Sequence, residues 1–118
     1  MREEQHLALA HANEEFLGEI RSTGHLDWTV TVLFYTALHY ADAVLARFHS
    51  AHPTDHQDRA RQLSSPSYSS LHDSYRRLQD RSRAARYEGQ TPSPDEFAKL
   101  EGDLHKVRSR AVTLLGPR

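Results

Sequence analysis

The chain has no cysteine among its 118 residues, and it has only one tryptophan and one methionine. Without cysteine, neither a disulfide framework nor a thiolate metal site can form, and a reducing compartment is allowed. No apolar run approaches the roughly 20 residues that a membrane span needs. The charged start of the chain leads into no apolar segment of signal-peptide length. These absences predict a cytoplasmic protein that contacts no membrane.

Neither sign of charge dominates, since 15 lysine and arginine residues stand against 16 aspartate and glutamate residues. This balance argues against non-specific nucleic-acid binding over the whole surface, but it allows a local basic patch. The signatures of serine hydrolases, P-loop proteins, dinucleotide-binding proteins and zinc peptidases are missing as well. The length fits a single domain, residues 1–118, that buries roughly two thirds of the surface of the unfolded chain.

Apolar residues recur at helical spacing in four segments, and no segment indicates a strand. The first segment spans about residues 3–21 and stops at Gly24, and its predicted buried face consists of Leu9, Ala12, Phe16 and Ile20. The third spans about residues 67–86, with an apolar stripe of Tyr68, Leu71, Tyr75, Leu78, Ser82 and Ala85. The fourth has Pro94 in its first turn after Ser93, and its stripe consists of Phe97, Leu100, Leu104, Val107, Ala111 and Leu114.

The second segment is predicted to begin with Asp27 as its N-cap and to be the central helix, because it carries two stripes. One stripe consists of Val30, Phe34, Ala37, Ala41, Val44 and Phe48, and the other of Trp28, Val32, Tyr35, His39 and Asp42. A short helix capped by Thr54 or Asp55 is predicted after Pro53, and it holds His56, Arg59 and Leu63. The expected fold is all-α: an up-and-down antiparallel four-helix bundle with an extra short helix between the second and third long helices.

The second stripe of the central helix carries polar groups where an apolar residue would be simpler. The spacings of four and three residues allow Tyr35 or Asp42 to orient the imidazole of His39. Two interpretations stay open. His39 is either a core histidine paired with a neighbouring carbonyl or tyrosine, or a residue of a functional site.

The nine histidines raise the question of a metal site, because His49, His52 and His56 crowd around one loop. A catalytic metal needs three rigid ligands with supporting partners, whereas this loop is broken by proline and offers only Asp55 as a carboxylate. We therefore expect neither a metal nor a cofactor. The other histidines outside the central helix are predicted to be surface residues: His6, His11, His25, His72 and His105.

Arginines accumulate at the end of the third helical segment, where five fall within eleven residues: Arg76, Arg77, Arg81, Arg83 and Arg86. Ser82 lies four residues before Arg86, so that both can point at the same pocket. Such a run is either a solvated helix face or a surface that binds an anion. The residues expected at the anion are Tyr35, Ser82, Arg83, Arg86 and Tyr87.

Four blocks of this chain resemble the HEPN superfamily of small helical prokaryotic proteins over about residues 10–115. They are Asp27-Trp28 with Phe34 to Tyr40, then His56 to Arg59, then Tyr75 to Leu78, and finally Ser82 to Tyr87. The resemblance implies a homodimer with a polar groove at the interface. It also implies one of several activities: metal-independent ribonuclease, often a toxin or defence protein, nucleotide binding, or partnership with a nucleotidyltransferase or an antitoxin.

The chain departs from the ribonuclease motif of that family, an arginine followed after four to six residues by a histidine on a late helix. None of the late arginines has a histidine at that spacing, and Ala85 stands where a frequent variant has histidine. The one literal match, Arg47 to His52, straddles the end of the second helix and is expected by chance. His56 and Arg59, three residues apart, are better candidates because they could meet His39 and Arg86 across the groove.

Three functions remain open on these residues. The first is a dimeric HEPN-like protein, a toxin–antitoxin or phage-defence component, that binds a nucleotide or an RNA phosphate. The second is an active ribonuclease with His39, His56, Arg59 and Arg86 as its catalytic residues, since metal-free cleavage needs proton transfer and a cation. The third is a structural interaction module whose arginines pair with Asp42, Asp73 or Asp80. If Arg59 and Arg86 point into an open groove they favour the first two functions, and if each is held by a carboxylate they favour the third.

Overall fold

A computed structural model describes residues 2–48 and 53–117. Within these ranges the chain is all-α, as predicted, with no strand. Five α-helices follow one another: α1 Glu3–Ile20, α2 Leu26–Phe48, α3 His56–Leu63, α4 Ser69–Tyr87 and α5 Pro94–Leu115. The short turns of 3-10 helix at Arg21–Thr23 and Pro66–Tyr68 extend α1 and precede α4.

Local signals in the sequence fix most of the helix ends. Gly24 follows α1 with a φ of 78°, a left-handed conformation that glycine adopts at low cost. Asp55 caps α3, since its carboxylate accepts the backbone N–H of Asp58 at 2.7 Å. Ser93 caps α5, with Pro94 in the first turn. The prediction of Asp27 as the N-cap of α2 is wrong, because the helix already begins at Leu26.

The second helix is the centre of the fold, as predicted. It contacts α1, α3, α4 and α5, and α4 also packs on α5. The first predicted stripe is buried from Val30 to Val44, but Phe48 at its end is 49% exposed. The second predicted stripe is confirmed only in part: Asp42 is buried and Val32 and His39 are half-buried, but Trp28 is 67% and Tyr35 36% exposed. The buried sector of α2 instead widens through Leu33, Thr36, Tyr40 and Ala43.

The predicted orientation of α1 is also wrong. Leu9 and Phe16 are 39% and 46% exposed, whereas the buried side carries Glu3, His6, Ala10 and Leu17. Polar contacts account for this rotation, because residues on that side pair with α2. His6 contacts His39, and Glu3 pairs with Arg47. The carboxylate of Glu14 accepts a hydrogen bond from the hydroxyl of Tyr40. His6, predicted to lie at the surface, is therefore a buried residue.

By length and composition alone, α2 is long and apolar enough to cross a membrane. The sequence analysis did not predict this, because polar residues interrupt the apolar run of α2. However, 72% of its most apolar window is buried against the other helices. Such burial is typical of the core helix of a soluble protein.

Candidate anion-binding site

Three of the five arginines in the α4 run are paired with carboxylates. Arg76 donates to Asp80 at 3.3 Å within the helix. Arg77 and Arg81 reach across to α5, where they pair with Asp103 at 2.7 Å and with Glu96 at 3.3 Å. This part of the run therefore ties α4 to itself and to α5.

Arg86 has no carboxylate partner among the described residues. Its Nη1 donates to the hydroxyl of Tyr35 at 3.2 Å, and its Nε donates to the backbone carbonyl of Ser82 at 3.4 Å. The guanidinium carbon lies 5.7 Å from the ring centres of Phe34 and Tyr35 and 5.1 Å from that of Tyr87. Cation–π contacts at these distances hold the cation without neutralising it.

An open cavity of about 380 Å³ lies next to Arg86, between α3 and α4. Its lining consists of His56, Gln79, Arg83, Arg86 and Tyr87. Arg83 is exposed and forms no ion pair within the described chain. Sequence reasoning missed Gln79, although a signal existed: Gln79, Arg83 and Arg86 follow one another at spacings of four and three, on one helix face. The cavity thus brings two uncompensated guanidinium groups together.

Arg59 is placed differently from Arg86, because a carboxylate holds it in the interior. Its Nε and Nη2 donate to the two carboxylate oxygens of Asp42 at 2.6 and 2.9 Å. Burial acts to lower the pKa of Arg59, but the hydrogen bonds and charge of Asp42 raise it above its ordinary value. The neighbouring Tyr75 hydroxyl is buried without a hydrogen bond of good geometry, and burial raises its pKa to about 12. This arrangement gives Arg59 no access to a ligand.

His56 connects the buried pair to the cavity. Arg59 Nη1 lies 3.2 Å from His56 Nδ1, and since a guanidinium only donates, Nδ1 accepts. The neutral imidazole must therefore carry its proton on Nε2. Burial, followed by the charges of Arg59 and Arg86, lowers the pKa of His56, so the ring is neutral at pH 7. A neutral ring of this tautomer offers an N–H donor at Nε2.

His39 lies outside this cavity lining and belongs to another contact. Its Nδ1 is 3.1 Å from Nδ1 of His6, with the ring centres 5.4 Å apart. Burial lowers the pKa of His39, and the charge of Asp42 opposes this effect. The spacing allows Tyr35 or Asp42 to orient His39, but the hydrogen bonds of these two side chains go elsewhere: Tyr35 bonds to Arg86 and Asp42 to Arg59.

The remaining predicted site residues divide between the cavity and its surroundings. Tyr87 lines the cavity and is 73% exposed. Ser82 is fully buried, and its hydroxyl finds no hydrogen-bond partner in the described structure. It contributes to Arg86 through its backbone carbonyl, not through the side chain that the sequence suggested. Tyr35 supports Arg86 from α2.

The histidine-rich loop can be judged only in part. His49 and His52, and with them the literal arginine–histidine match that ends at His52, lie outside the described residues. Arg47, the arginine of that match, pairs with Glu3 at 2.7 Å. Within residues 2–48 and 53–117, no three histidine, aspartate or glutamate side chains are placed to hold a metal ion.

Comparison with known proteins gives no relative. No family model matches the chain, and neither a curated protein nor a solved structure matches it. The resemblance to the HEPN superfamily therefore stays a prediction.

Proposed function

We propose that this protein binds a phosphate-bearing ligand, a nucleotide or RNA, in the cavity beside Arg83 and Arg86. One observation carries the proposal. In a run where Arg76, Arg77 and Arg81 each have a carboxylate, the two arginines at the open cavity have none among the described residues. A guanidinium fork matches the geometry of a phosphate and binds it through two charge-assisted hydrogen bonds.

The position of Arg86 supports tight binding because the side chain is already ordered. The aromatic rings and the Tyr35 hydroxyl hold the guanidinium in place, so that little side-chain entropy remains to be lost when an anion arrives. The Nε2–H of His56 adds a neutral donor on the opposite wall. Together these groups can satisfy several oxygens of one phosphate.

The same geometry supports binding over catalysis. A general base must present a free lone pair to the substrate. In His56 the lone pair of Nδ1 is already used by Arg59, and Nε2 carries the proton. His39 contacts His6 and is no part of the cavity lining. The ribonuclease alternative predicts that the protein cleaves single-stranded RNA in the presence of a chelator and that His39→Ala with His56→Ala abolishes this cleavage. RNA that stays intact after long incubation would contradict the ribonuclease alternative.

The third function, a structural interaction module whose arginines pair with carboxylates, accounts for some of the arginines. Arg59 with Asp42 and Arg76 with Asp80 are pairs of the kind that it predicts. It does not explain why Arg83 and Arg86 have no carboxylate partner among the described residues, and for this reason we rank it second.

We further propose that the helices form an up-and-down antiparallel four-helix bundle of the HEPN type that pairs as a homodimer. The contacts of α2 with α1, α4 and α5 are compatible with the bundle. The pairing as a homodimer is what the resemblance to the HEPN superfamily implies. A cytoplasmic location depends on the composition of the sequence, and a toxin–antitoxin or phage-defence role and a nucleotidyltransferase or antitoxin partner depend on the resemblance alone. Light scattering should report about twice the chain mass of 13.5 kDa, and a monomer at high concentration would contradict the dimer.

A titration with pyrophosphate, the four ribonucleoside monophosphates and a short RNA tests the proposed binding. Calorimetry should detect binding to the wild type and a loss of at least tenfold in affinity for Arg83→Ala and Arg86→Ala. Arg76→Ala is the matched control, since it removes an arginine of the same helix that lies outside the cavity lining. If no ligand binds, or if Arg76→Ala weakens binding as much as Arg86→Ala, the proposed function is wrong.

A further inference from the structure

A second cavity, of about 230 Å³, adjoins Arg86. Its lining consists of Asp27, Trp28, Thr31, Ala85 and Arg86, so that Arg86 is shared with the first cavity. Pockets for drug-sized ligands start at about 300 Å³, so this cavity suits one ring system and not a whole nucleotide. A ligand that extends from one cavity to the other must pass Arg86.

The second cavity offers an aromatic surface. Trp28 lines it and is 67% exposed, an unusual exposure for the largest side chain in the chain. Tyr87, on the wall of the first cavity, is 73% exposed. Exposed aromatic side chains beside arginines are the combination with which proteins stack nucleobases while they bind the phosphate backbone.

Besides the shared Arg86 and the polar Thr31, the second cavity is lined by a group of opposite charge, the carboxylate of Asp27. The carboxylate of Asp27 makes no hydrogen bond or ion pair within the described residues. The hydroxyl of the neighbouring Thr31 donates to the backbone carbonyl of Asp27 and not to its side chain. A carboxylate repels phosphate and only accepts hydrogen bonds. It therefore selects a group that presents N–H donors.

We propose that the second cavity is a base subsite and that the ligand is a guanine nucleotide or a guanine in single-stranded RNA. The base stacks on Trp28, and its two adjacent donors, N1–H and the exocyclic amine, bind the two oxygens of Asp27. The phosphate lies in the first cavity on Arg83 and Arg86. This inference rests on the proposed phosphate binding and adds to it the identity of the base. Adenine and cytosine present an exocyclic amine without an adjacent ring N–H, and uracil presents its ring N3–H without an adjacent amine, so that none of the three can donate two parallel hydrogen bonds to the carboxylate.

Trp28 makes the proposal directly measurable, because it is the only tryptophan of the chain. Stacking of a base on the indole should quench its fluorescence. Guanosine monophosphate should therefore quench the emission of the wild type, whereas pyrophosphate should bind without quenching. Guanosine monophosphate should bind about 5- to 150-fold more tightly than the adenosine, cytidine and uridine monophosphates, the range expected for one bidentate pair.

Two variants separate the base subsite from the phosphate site, with affinities measured by calorimetry. Asp27→Asn should remove the preference for guanine, and Trp28→Ala should weaken the binding of every nucleotide about 5- to 150-fold. Neither variant should weaken the binding of pyrophosphate. Asp95→Asn is the control, since Asp95 is likewise an acidic residue in the first turn of a helix, but in α5 and outside the cavity.

The outcomes distinguish the two proposals. If pyrophosphate binds through Arg83 and Arg86 but all four nucleotides bind equally, without quenching and without an effect of Asp27→Asn, the base subsite is wrong and the phosphate site remains. Binding of guanosine monophosphate that leaves Trp28 fluorescence unchanged also overturns the subsite. If neither pyrophosphate nor any nucleotide binds, both proposals are wrong.

Discussion

Removal of the Asp42 carboxylate should be among the most destabilising single changes in this protein. Asp42 and Arg59 form a two-pronged ion pair in which the side chains are only 2% and 10% exposed. In Asp42→Ala the guanidinium stays buried, and it cannot escape by losing its proton. An uncompensated buried charge of this kind costs about 3–5 kcal/mol. Because whole domains are stable by only about 5–15 kcal/mol, the variant should be close to unfolding.

The exposed pair between Arg76 and Asp80 provides the matched control. It also joins an arginine to an aspartate, at 3.3 Å, but its side chains are 55% and 63% exposed. The Arg76 guanidinium is hydrated whether or not the carboxylate is present. Asp80→Ala should therefore lower the free energy of unfolding by less than about 1 kcal/mol. Urea denaturation followed by circular dichroism measures both variants, provided that their m-values agree.

A double variant tests the physical reason for the loss at Asp42. In Asp42→Leu with Arg59→Met, no buried charge remains, and apolar side chains of similar size fill the same space. Such a replacement is often neutral or stabilising, so the double variant should recover most of the stability that Asp42→Ala loses. If Asp42→Ala and Asp80→Ala cost the same, or if the double variant is no more stable than Asp42→Ala, the argument from the buried charge fails.

Three further predictions concern pH, a helix cap and the support of the site. Burial lowers the pKa of His39 in the folded protein. As the pH falls, His39 therefore takes up its proton first in the unfolded chain, near the ordinary histidine pKa of about 6.5. The stability from neutral His39 is present above that pH and is lost as the pH falls below it; urea titrations should show a smaller loss in His39→Gln. Ser93→Ala removes the cap of α5 and should lower the free energy of unfolding by about 1 kcal/mol, whereas Ser109→Ala on the exposed face should change little. Tyr35→Phe keeps the ring beside Arg86 but removes its hydroxyl acceptor, so calorimetry should show a smaller loss of anion affinity than for Arg86→Ala.

The sequence predicts those parts of the fold that depend on neighbouring residues. The start of α5 follows from Ser93 and Pro94, and its apolar stripe from Phe97 to Ala111 is buried as predicted. The rotation of α1 could not be predicted, because the contacts that set it join residues far apart in sequence. His6 and His39 are 33 residues apart, and Glu14 and Tyr40 are 26 apart. Since α1 has apolar residues on more than one side, its own pattern does not decide which side is buried.

The distance in sequence between contacting residues also decides how much of the candidate site can be predicted from the sequence. The pair of Arg76 with Asp80 follows from helical spacing, but the partners of Arg77 and Arg81 come from α5, 26 and 15 residues further along. Arg59 likewise receives its carboxylate from Asp42 on α2, 17 residues earlier.

Which arginines keep their charge uncompensated therefore depends on the direction in which each faces. Arg77 and Arg81 face α5, whose Asp103 and Glu96 neutralise them. Arg83 and Arg86 lie on the side that faces His56 of α3, where the cavity lining contains no carboxylate. These directions depend on how the helices pack, and for that reason a count of arginines in the sequence could locate the run but not the two members that a ligand can reach.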